Sequence, residues 1–207
     1  LRKKEKPHDL PQTKILLKIA ETQCTLFHDE SRTCYASFKN QGHRESWELQ
    51  SKNFIEWLSY QYYQQTQNGI SEQQVKAVIT TLLGRAKYEG EEKEVFLRYA
   101  EREGEFWIDL CDEDWRAIRL TPGHWKVVDH PEVLFTRRHN MRPLPEPSEV
   151  SDINPLWEVV NIPEKYRLLV ISWIIECWRI STPFQVLELT GEQGSAKSKT
   201  QHYLKEL

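Results

Sequence analysis

Residues 184–198 read Phe184-Gln-Val-Leu-Glu-Leu-Thr-Gly-Glu-Gln-Gly-Ser-Ala-Lys-Ser198, and this stretch decides the fold expected at the end of the chain. Its apolar half, Phe184–Leu189, predicts a short strand, and the glycine-containing half predicts a loop that leads into a helix. The loop has the spacing GxxxxGK[ST], with Ala196 at the second glycine position. A strand, such a loop and a helix form the entrance of an α/β nucleotide-binding domain.

The eight residues of the loop are predicted to surround the phosphates of ATP. Backbone N–H groups that point into the loop, together with the positive end of the next helix, attract an anion. We expect Lys197 to reach the β- and γ-phosphates and the Ser198 hydroxyl to complete the coordination of Mg²⁺. The methyl group of Ala196 is expected to be tolerated at the start of a helix. The predicted site comprises Gly191, Glu192, Gln193, Gly194, Ser195, Ala196, Lys197 and Ser198.

The sequence continues for only nine residues after Ser198. An ATPase of this class needs further parallel strands and an acidic residue that holds Mg²⁺. We therefore expect residues 183–207 to be the start of a truncated NTPase domain, inactive in this chain although the longer parent is an ATPase. A cluster of acids further upstream is expected to form a solvated turn and not the missing acidic motif. These acids are Asp109, Asp112, Glu113 and Asp114.

Residues 11–142 predict an N-terminal α+β domain. Helices are expected after Pro11, after Ser51 and after the capping box that Ser71 forms with Gln74. From residue 95 onwards apolar residues recur at every second position, which predicts strands that form an antiparallel β-meander. Its four strands are predicted at Val95–Tyr99, Glu105–Leu110, Trp115–Leu120 and His124–Val128, and three earlier strands at Cys24–Phe27, Thr33–Phe38 and Ser46–Leu49.

Prolines at positions 143, 145 and 147 mark the expected domain boundary. Alternating prolines exclude a helix and favour an extended strap, so residues 143–151 are predicted to be a linker. Residues 152–182 follow as a helical connector, because Pro163 can open a helix with a wide apolar face. The fold class expected for the whole chain is α+β.

The composition excludes several classes of protein. With 207 residues, 39% of them apolar, the chain is long enough for a packed core, and it carries no secretory signal and no apolar run of membrane-spanning length. We therefore expect a cytoplasmic protein without a membrane partner. The net charge of −3 excludes a protein that coats nucleic acid by charge alone. Cys24, His28, Cys34 and His43 match no common zinc spacing.

Residues 115–142 carry six basic residues against two acids, with aromatic residues between them. Basic side chains beside aromatic rings are the ingredients of single-strand nucleic-acid binding, and the alternative is an ordinary strand face. The expected contacts are Arg116, Arg119, Lys126, Arg137 and Arg138. A second aromatic group at helix and strand spacing is more typical of a core than of a base-stacking platform. It consists of Trp47, Trp57, Tyr60, Tyr62 and Tyr63.

Taken with the loop, several segments resemble the ATP-binding proteins of phages, plasmids and integrated mobile elements, which are similar to primase–helicase replication proteins. The segments are Phe106-Trp-Ile-Asp-Leu, Asp114-Trp-Arg-Ala-Ile, Gly123-His-Trp-Lys-Val-Val, Leu144-Pro-Glu-Pro and Val160-Asn-Ile-Pro. The resemblance covers residues 12–204. It implies a helicase-like ATPase, oligomeric in the parent protein, that acts on DNA in replication beside a primase. Only the residues of the loop gain a role from it.

Two other functions stay open at this point. In the first, the N-terminal α+β domain docks on DNA or on a primase, and the chain has no activity of its own. In the second, the loop belongs to a P-loop kinase or transferase. The long segment that precedes the loop is unlike that of a kinase, which disfavours the second alternative.

Overall fold

The computed structural model describes residues 11–149, 152–179 and 183–205. The chain forms two compact units, Leu1–Leu144 and Pro145–Leu207, and each is described by itself. Helices and antiparallel sheets make the fold α+β. The predictions that fall on residues 150–151, 180–182 and 206–207 lie outside the described residues.

The first unit begins with three helices packed on one face of a four-stranded sheet. In spatial order the strands are His43–Glu48 (β3), Cys34–Asn40 (β2), Cys24–His28 (β1) and Glu91–Glu92 (β4). The sequence did not predict β4, which pairs in parallel with β1. The local caps form as expected, since Ser51 Oγ accepts from Phe54 N and Ser71 forms the capping box with Gln74. The elements are α1 Gln12–Gln23, β1 Cys24–His28, β2 Cys34–Asn40, β3 His43–Glu48, α2 Lys52–Thr66, α3 Glu72–Tyr88 and β4 Glu91–Glu92.

Alternation along β2 separates the two faces of this sheet. Cys34, Ala36 and Phe38 point into the core that the helices cover. Because successive side chains of a strand point to opposite faces, Ser37 and Lys39 lie on the face away from the helices. The helices therefore protect only one side of the sheet.

A second sheet follows as the predicted antiparallel meander. Its first strand was predicted four residues too early, because the connection is a tight turn of only Glu103 and Gly104, which have φ of 55° and 79°. A two-residue turn with two positive φ values fixes the register, here Arg102 opposite Glu105. The strands are β5 Tyr99–Arg102, β6 Glu105–Asp109, β7 Ala117–Thr121 and β8 His124–Val128.

One expectation for this sheet was wrong: Asp109 does not belong to a solvated turn. Its side chain is 1% exposed and pairs with the guanidinium of Arg137 through two hydrogen bonds of 2.9 and 2.7 Å. Asp112 is half-buried and pairs with Arg116, whereas Glu113 and Asp114 are exposed. The acids are distributed in this way because two of them are the internal partners of nearby arginines.

The second unit contains three helices, α4 Asn154–Val159, α5 Glu164–Cys177 and α6 Lys197–Lys205. The strand predicted at Phe184–Leu189 was wrong, since these residues form no strand. A strand is defined by its pairing, and the described residues of this unit offer no other strand. Leu187 and Leu189 instead pack against the core of α5 and α6, whereas Phe184 and Val186 are exposed.

No helix within the described ranges has both the length and the apolar character that crossing a bilayer requires.

We predict that Asp109→Asn lowers the free energy of unfolding of the first unit by about 3–5 kcal/mol, because it leaves the Arg137 guanidinium buried without its counter-charge. Urea denaturation followed by near-ultraviolet circular dichroism measures this change. Asp114→Asn is the matched control, since Asp114 is exposed in the connection that follows β6, and we expect a change within about 0.5 kcal/mol. Equal effects of the two substitutions would contradict a structural role for the pair.

Candidate functional site

The predicted phosphate loop forms a compact turn that ends at the first residue of α6. Gly194 has φ of 84° and Ala196 has φ of 58°, so two left-handed residues alternate with Ser195 and the helical Lys197. Alternating backbone handedness turns successive N–H groups toward one point, which is the geometry of an anion-binding nest. The left-handed backbone at position 196 also gives the physical reason for a glycine in the GxxxxGK[ST] pattern.

The ammonium group of Lys197 is folded back over the start of the loop. It donates to Gly191 O at 2.8 Å, to Glu192 O at 2.7 Å and to Ser195 Oγ at 3.2 Å. The Ser195 hydroxyl donates in turn to Glu192 O at 2.8 Å. All three of these acceptors are neutral oxygens, and no carboxylate in the described part of the chain pairs with the lysine, so its positive charge is held in place without being compensated there.

Of the two glycines in the loop, Gly191 is the one where an added Cβ atom would be obstructed. A Cβ atom built there would lie 2.9 Å from Ser195 Oγ, closer than real Cβ contacts allow. The hydroxyl that would be displaced is the one that contacts both Lys197 and Glu192. The glycine therefore permits the closed form of the loop.

Asn161, which lies 34 residues before Ser195, anchors the loop, and sequence reasoning did not find it. Its side-chain amide donates to Ser195 O at 3.1 Å, and its backbone N–H donates to the hydroxyl of Thr200 at 3.1 Å. Thr200 is 2% exposed and belongs to α6. In the sequence, Asn161 drew attention only as part of the Val160-Asn-Ile-Pro segment of the family resemblance, which assigned it no role.

A cavity of about 400 Å³ lies beside the loop. Its polar wall includes Lys197, Ser195 and Thr200, and its apolar wall includes Tyr166 and Leu187. Ser198 is exposed in the first turn of α6. Within the described ranges no group of three or more His, Cys, Asp or Glu side chains is arranged to hold a metal ion.

The structure does not bring the five predicted nucleic-acid contacts together as one free patch. Arg116 pairs with Asp112 at 2.7 Å, and Arg137 is committed to Asp109. Arg119 binds both oxygens of Glu105 and lies 5.3 Å over the ring of Trp107.

A shifted carboxyl pKa agrees with the pairing of these arginines with acids. Hydrogen bonds from Arg119 hold the pKa of the Glu105 carboxyl below its ordinary value. A guanidinium that binds a carboxylate through two parallel N–H donors has most of its charge compensated, so it attracts a phosphate only weakly. Of the five residues, Lys126 and Arg138 are the exposed ones.

The second aromatic group divides between core and surface. Trp57 stacks on Phe38 with ring centroids 3.8 Å apart, and Tyr62 is buried. Tyr60 and Tyr63 are about half exposed, at 56% and 47%. The group therefore provides no continuous base-stacking surface.

Comparison of the chain with protein-family models, curated proteins and solved structures finds no match in any of the three. The loop geometry and its surroundings are thus the basis for the functional argument.

We predict that Ala196→Gly makes the loop more stable. A residue with a Cβ pays roughly 1–2 kcal/mol in a left-handed conformation, which exceeds the roughly 0.5–1 kcal/mol that glycine loses through its larger freedom in the unfolded chain. Amide hydrogen exchange of Ser195 and Thr200, whose N–H groups donate to Glu192 O and Ala196 O, should slow by roughly two- to fivefold. Gln193→Gly is the control at an exposed position with negative φ. Faster exchange in Ala196→Gly would contradict the strain.

Proposed function

We propose that the loop from Gly191 to Ser198 binds the phosphates of a nucleoside triphosphate together with Mg²⁺. The observation that carries the proposal is the position of the Lys197 ammonium, which lies on the loop carbonyls with no acid among the described residues to neutralise it. The nest at Gly194 and Ala196 adds backbone donors, and α6 adds its positive end.

Each polar group of the loop has a separate task in this proposal. Lys197 exchanges its carbonyl partners for phosphate oxygens, which gains charge-assisted hydrogen bonds in place of neutral ones. The backbone N–H groups after Gly194 donate to the remaining phosphate oxygens. Mg²⁺, when bound, would supply charge neutralisation of the phosphates, and the Ser198 hydroxyl would be its protein ligand.

The closed form of the loop favours binding, because little additional ordering is needed. Asn161 already fixes the carbonyl of Ser195, and the backbone N–H of Thr200 already donates to Ala196 O at 2.9 Å. A loop that is ordered before it meets its ligand avoids an entropy cost at the moment of binding. This support comes from the segment between α4 and α5 and from the first turn of α6, whereas the sequence analysis expected further parallel strands around the loop.

At the level of the whole protein, we propose a helicase-like ATPase of a mobile element that acts in DNA replication. The support is the phosphate loop together with the resemblance of the upstream segments to that family. Hydrolysis requires an acid near Mg²⁺ and a positioned water, which the loop itself does not supply. The activity proposed for these residues is therefore nucleotide binding.

We predict that Lys197→Ala weakens the binding of a fluorescent ATP analogue at least roughly tenfold, since it removes a charged hydrogen bond to phosphate. Fluorescence titration in the presence of Mg²⁺ measures the dissociation constant. Lys199→Ala is the matched control, because Lys199 is exposed two residues further along the same helix. If both variants bind the nucleotide equally well, the loop is not the phosphate site.

A second substitution tests the metal. We expect Ser198→Ala to remove most of the gain in affinity that Mg²⁺ gives over EDTA, while the affinity measured in EDTA stays unchanged. Ser198→Thr keeps the hydroxyl and should retain the gain, since GxxxxGK[ST] accepts either residue. An unchanged Mg²⁺ dependence in Ser198→Ala would exclude the hydroxyl as a metal ligand.

A further inference from the structure

The open face of the first sheet carries two cations directly opposite each other. Lys39 on β2 and Arg44 on β3 are partners in the antiparallel register, and both side chains are exposed. Like charges at opposed positions of a sheet repel each other and destabilise it. The repulsion lowers the stability of the sheet, and an anion bound between the two side chains would remove it.

The structure places no acid against this pair. Among the described residues, no carboxylate lies within ion-pair distance of Lys39 or of Arg44. The nearby Glu45 points to the opposite face, where it accepts from Asn40 at 2.7 Å and from Trp47 at 2.6 Å. The charge of the pair is thus available to a ligand, unlike that of the arginines in the second sheet.

Two cavities meet at the pair and make it the centre of a trough. One has a volume of about 330 Å³ and the other about 280 Å³, and Lys39, Arg44 and Leu134 line both. Lys93 lies at the end of the smaller cavity, where it also pairs with Glu91 at 3.1 Å, and His130 lines the larger one. The cation pair is therefore the middle of an extended site and not its end.

The rest of the lining determines the kind of ligand. Thr25 and Ser37 bring hydroxyl groups to the smaller cavity and Ser46 to the larger one, and hydroxyl groups commonly bond phosphate and sugar oxygens. The phenylalanine and tryptophan rings of the lining are buried: Phe27 is 1% exposed and Trp115 is 7% exposed. The trough offers donors for a backbone, and among its described lining residues the imidazole of His130 is the one exposed aromatic ring.

We propose that this trough binds the sugar–phosphate backbone of a single-stranded nucleic acid without sequence preference. Lys39 and Arg44 contact adjacent phosphates at the centre. Lys93 extends the contact along the strand, because its ion pair with the exposed Glu91 is a weak surface pair that a phosphate can replace. Glu132, which also lines the larger cavity, limits how far the strand extends on that side. The proposal is independent of the phosphate loop, which belongs to the other unit.

The test measures fluorescence anisotropy of a labelled 20-nucleotide oligo-dT with the full chain, over a range of NaCl concentrations. About three phosphate contacts predict a slope of log K against log [NaCl] near −2. The double substitution Lys39→Gln with Arg44→Gln should reduce the slope to about −0.7 and weaken binding at 0.1 M salt roughly tenfold. The single substitutions should each give an intermediate loss.

The matched control is Lys14→Gln with Lys18→Gln. It removes the same charge from two exposed lysines of α1, which packs on the opposite side of the sheet. Both double variants should melt no lower than the parent, because each removes a repulsion between neighbouring cations. Equal loss of binding in the two variants, or no loss in Lys39→Gln with Arg44→Gln, would overturn the proposal.

Two further measurements distinguish binding in the trough from binding of anions elsewhere on the protein. Inorganic phosphate at the same total phosphate concentration should not displace the oligonucleotide, and displacement would indicate a small-anion site instead. Lys197→Ala should bind oligo-dT as the parent does. Loss of binding in Lys197→Ala would assign the oligonucleotide to the nucleotide loop and overturn the trough, whereas loss of ATP binding alone leaves both proposals standing.

Discussion

The buried pair of Asp109 and Arg137 organises the first unit. Arg137 also donates to the carbonyl of Asp112 and lies 4.0 Å from the ring centroid of Trp115. Trp115 in turn meets Trp47 of the first sheet edge to face, with ring centroids 5.3 Å apart. One ion pair therefore fixes the end of β6, orients a buried ring and, through that ring, connects the two sheets. Because the pair is desolvated, its geometry must be held by several partners at once, and the structure provides them.

The elements that the sequence predicted well are those whose signals are local. Ser51 and Ser71 cap helices through their own neighbours, so a few residues determine where α2 and α3 begin. The elements it missed or misplaced depend on distant partners. β4 exists only because β1 lies beside it, and Phe184–Leu189 forms no strand because the described residues provide it with no partner. An apolar run shows that a segment can be a strand, but pairing decides whether it is one.

The same distinction applies to the candidate sites. The identities of the loop residues follow from a local pattern, whereas the support from Asn161 depends on the packing of the connector helices. The left-handed backbone of Ala196 was not foreseen either, because the pattern names a residue and not a dihedral angle. In the first unit, the charge count of residues 115–142 indicated a basic patch that the fold largely neutralises. The opposed pair of Lys39 and Arg44 is visible only once the register of β2 and β3 is known.

What distinguishes a binding cation from a structural one in this protein is the charge of its acceptors. Arg137 and Arg119 donate to carboxylates, so each forms a neutral unit with no remaining attraction for an anion. Lys197 donates to two carbonyls and a hydroxyl, which orient the ammonium group but leave its charge intact. Coulombic attraction of a phosphate depends on that remaining charge, and orientation by neutral dipoles reduces the entropy cost of using it. A chain with a net charge of −3 can therefore present local sites for phosphate, provided that its acids are committed to other cations.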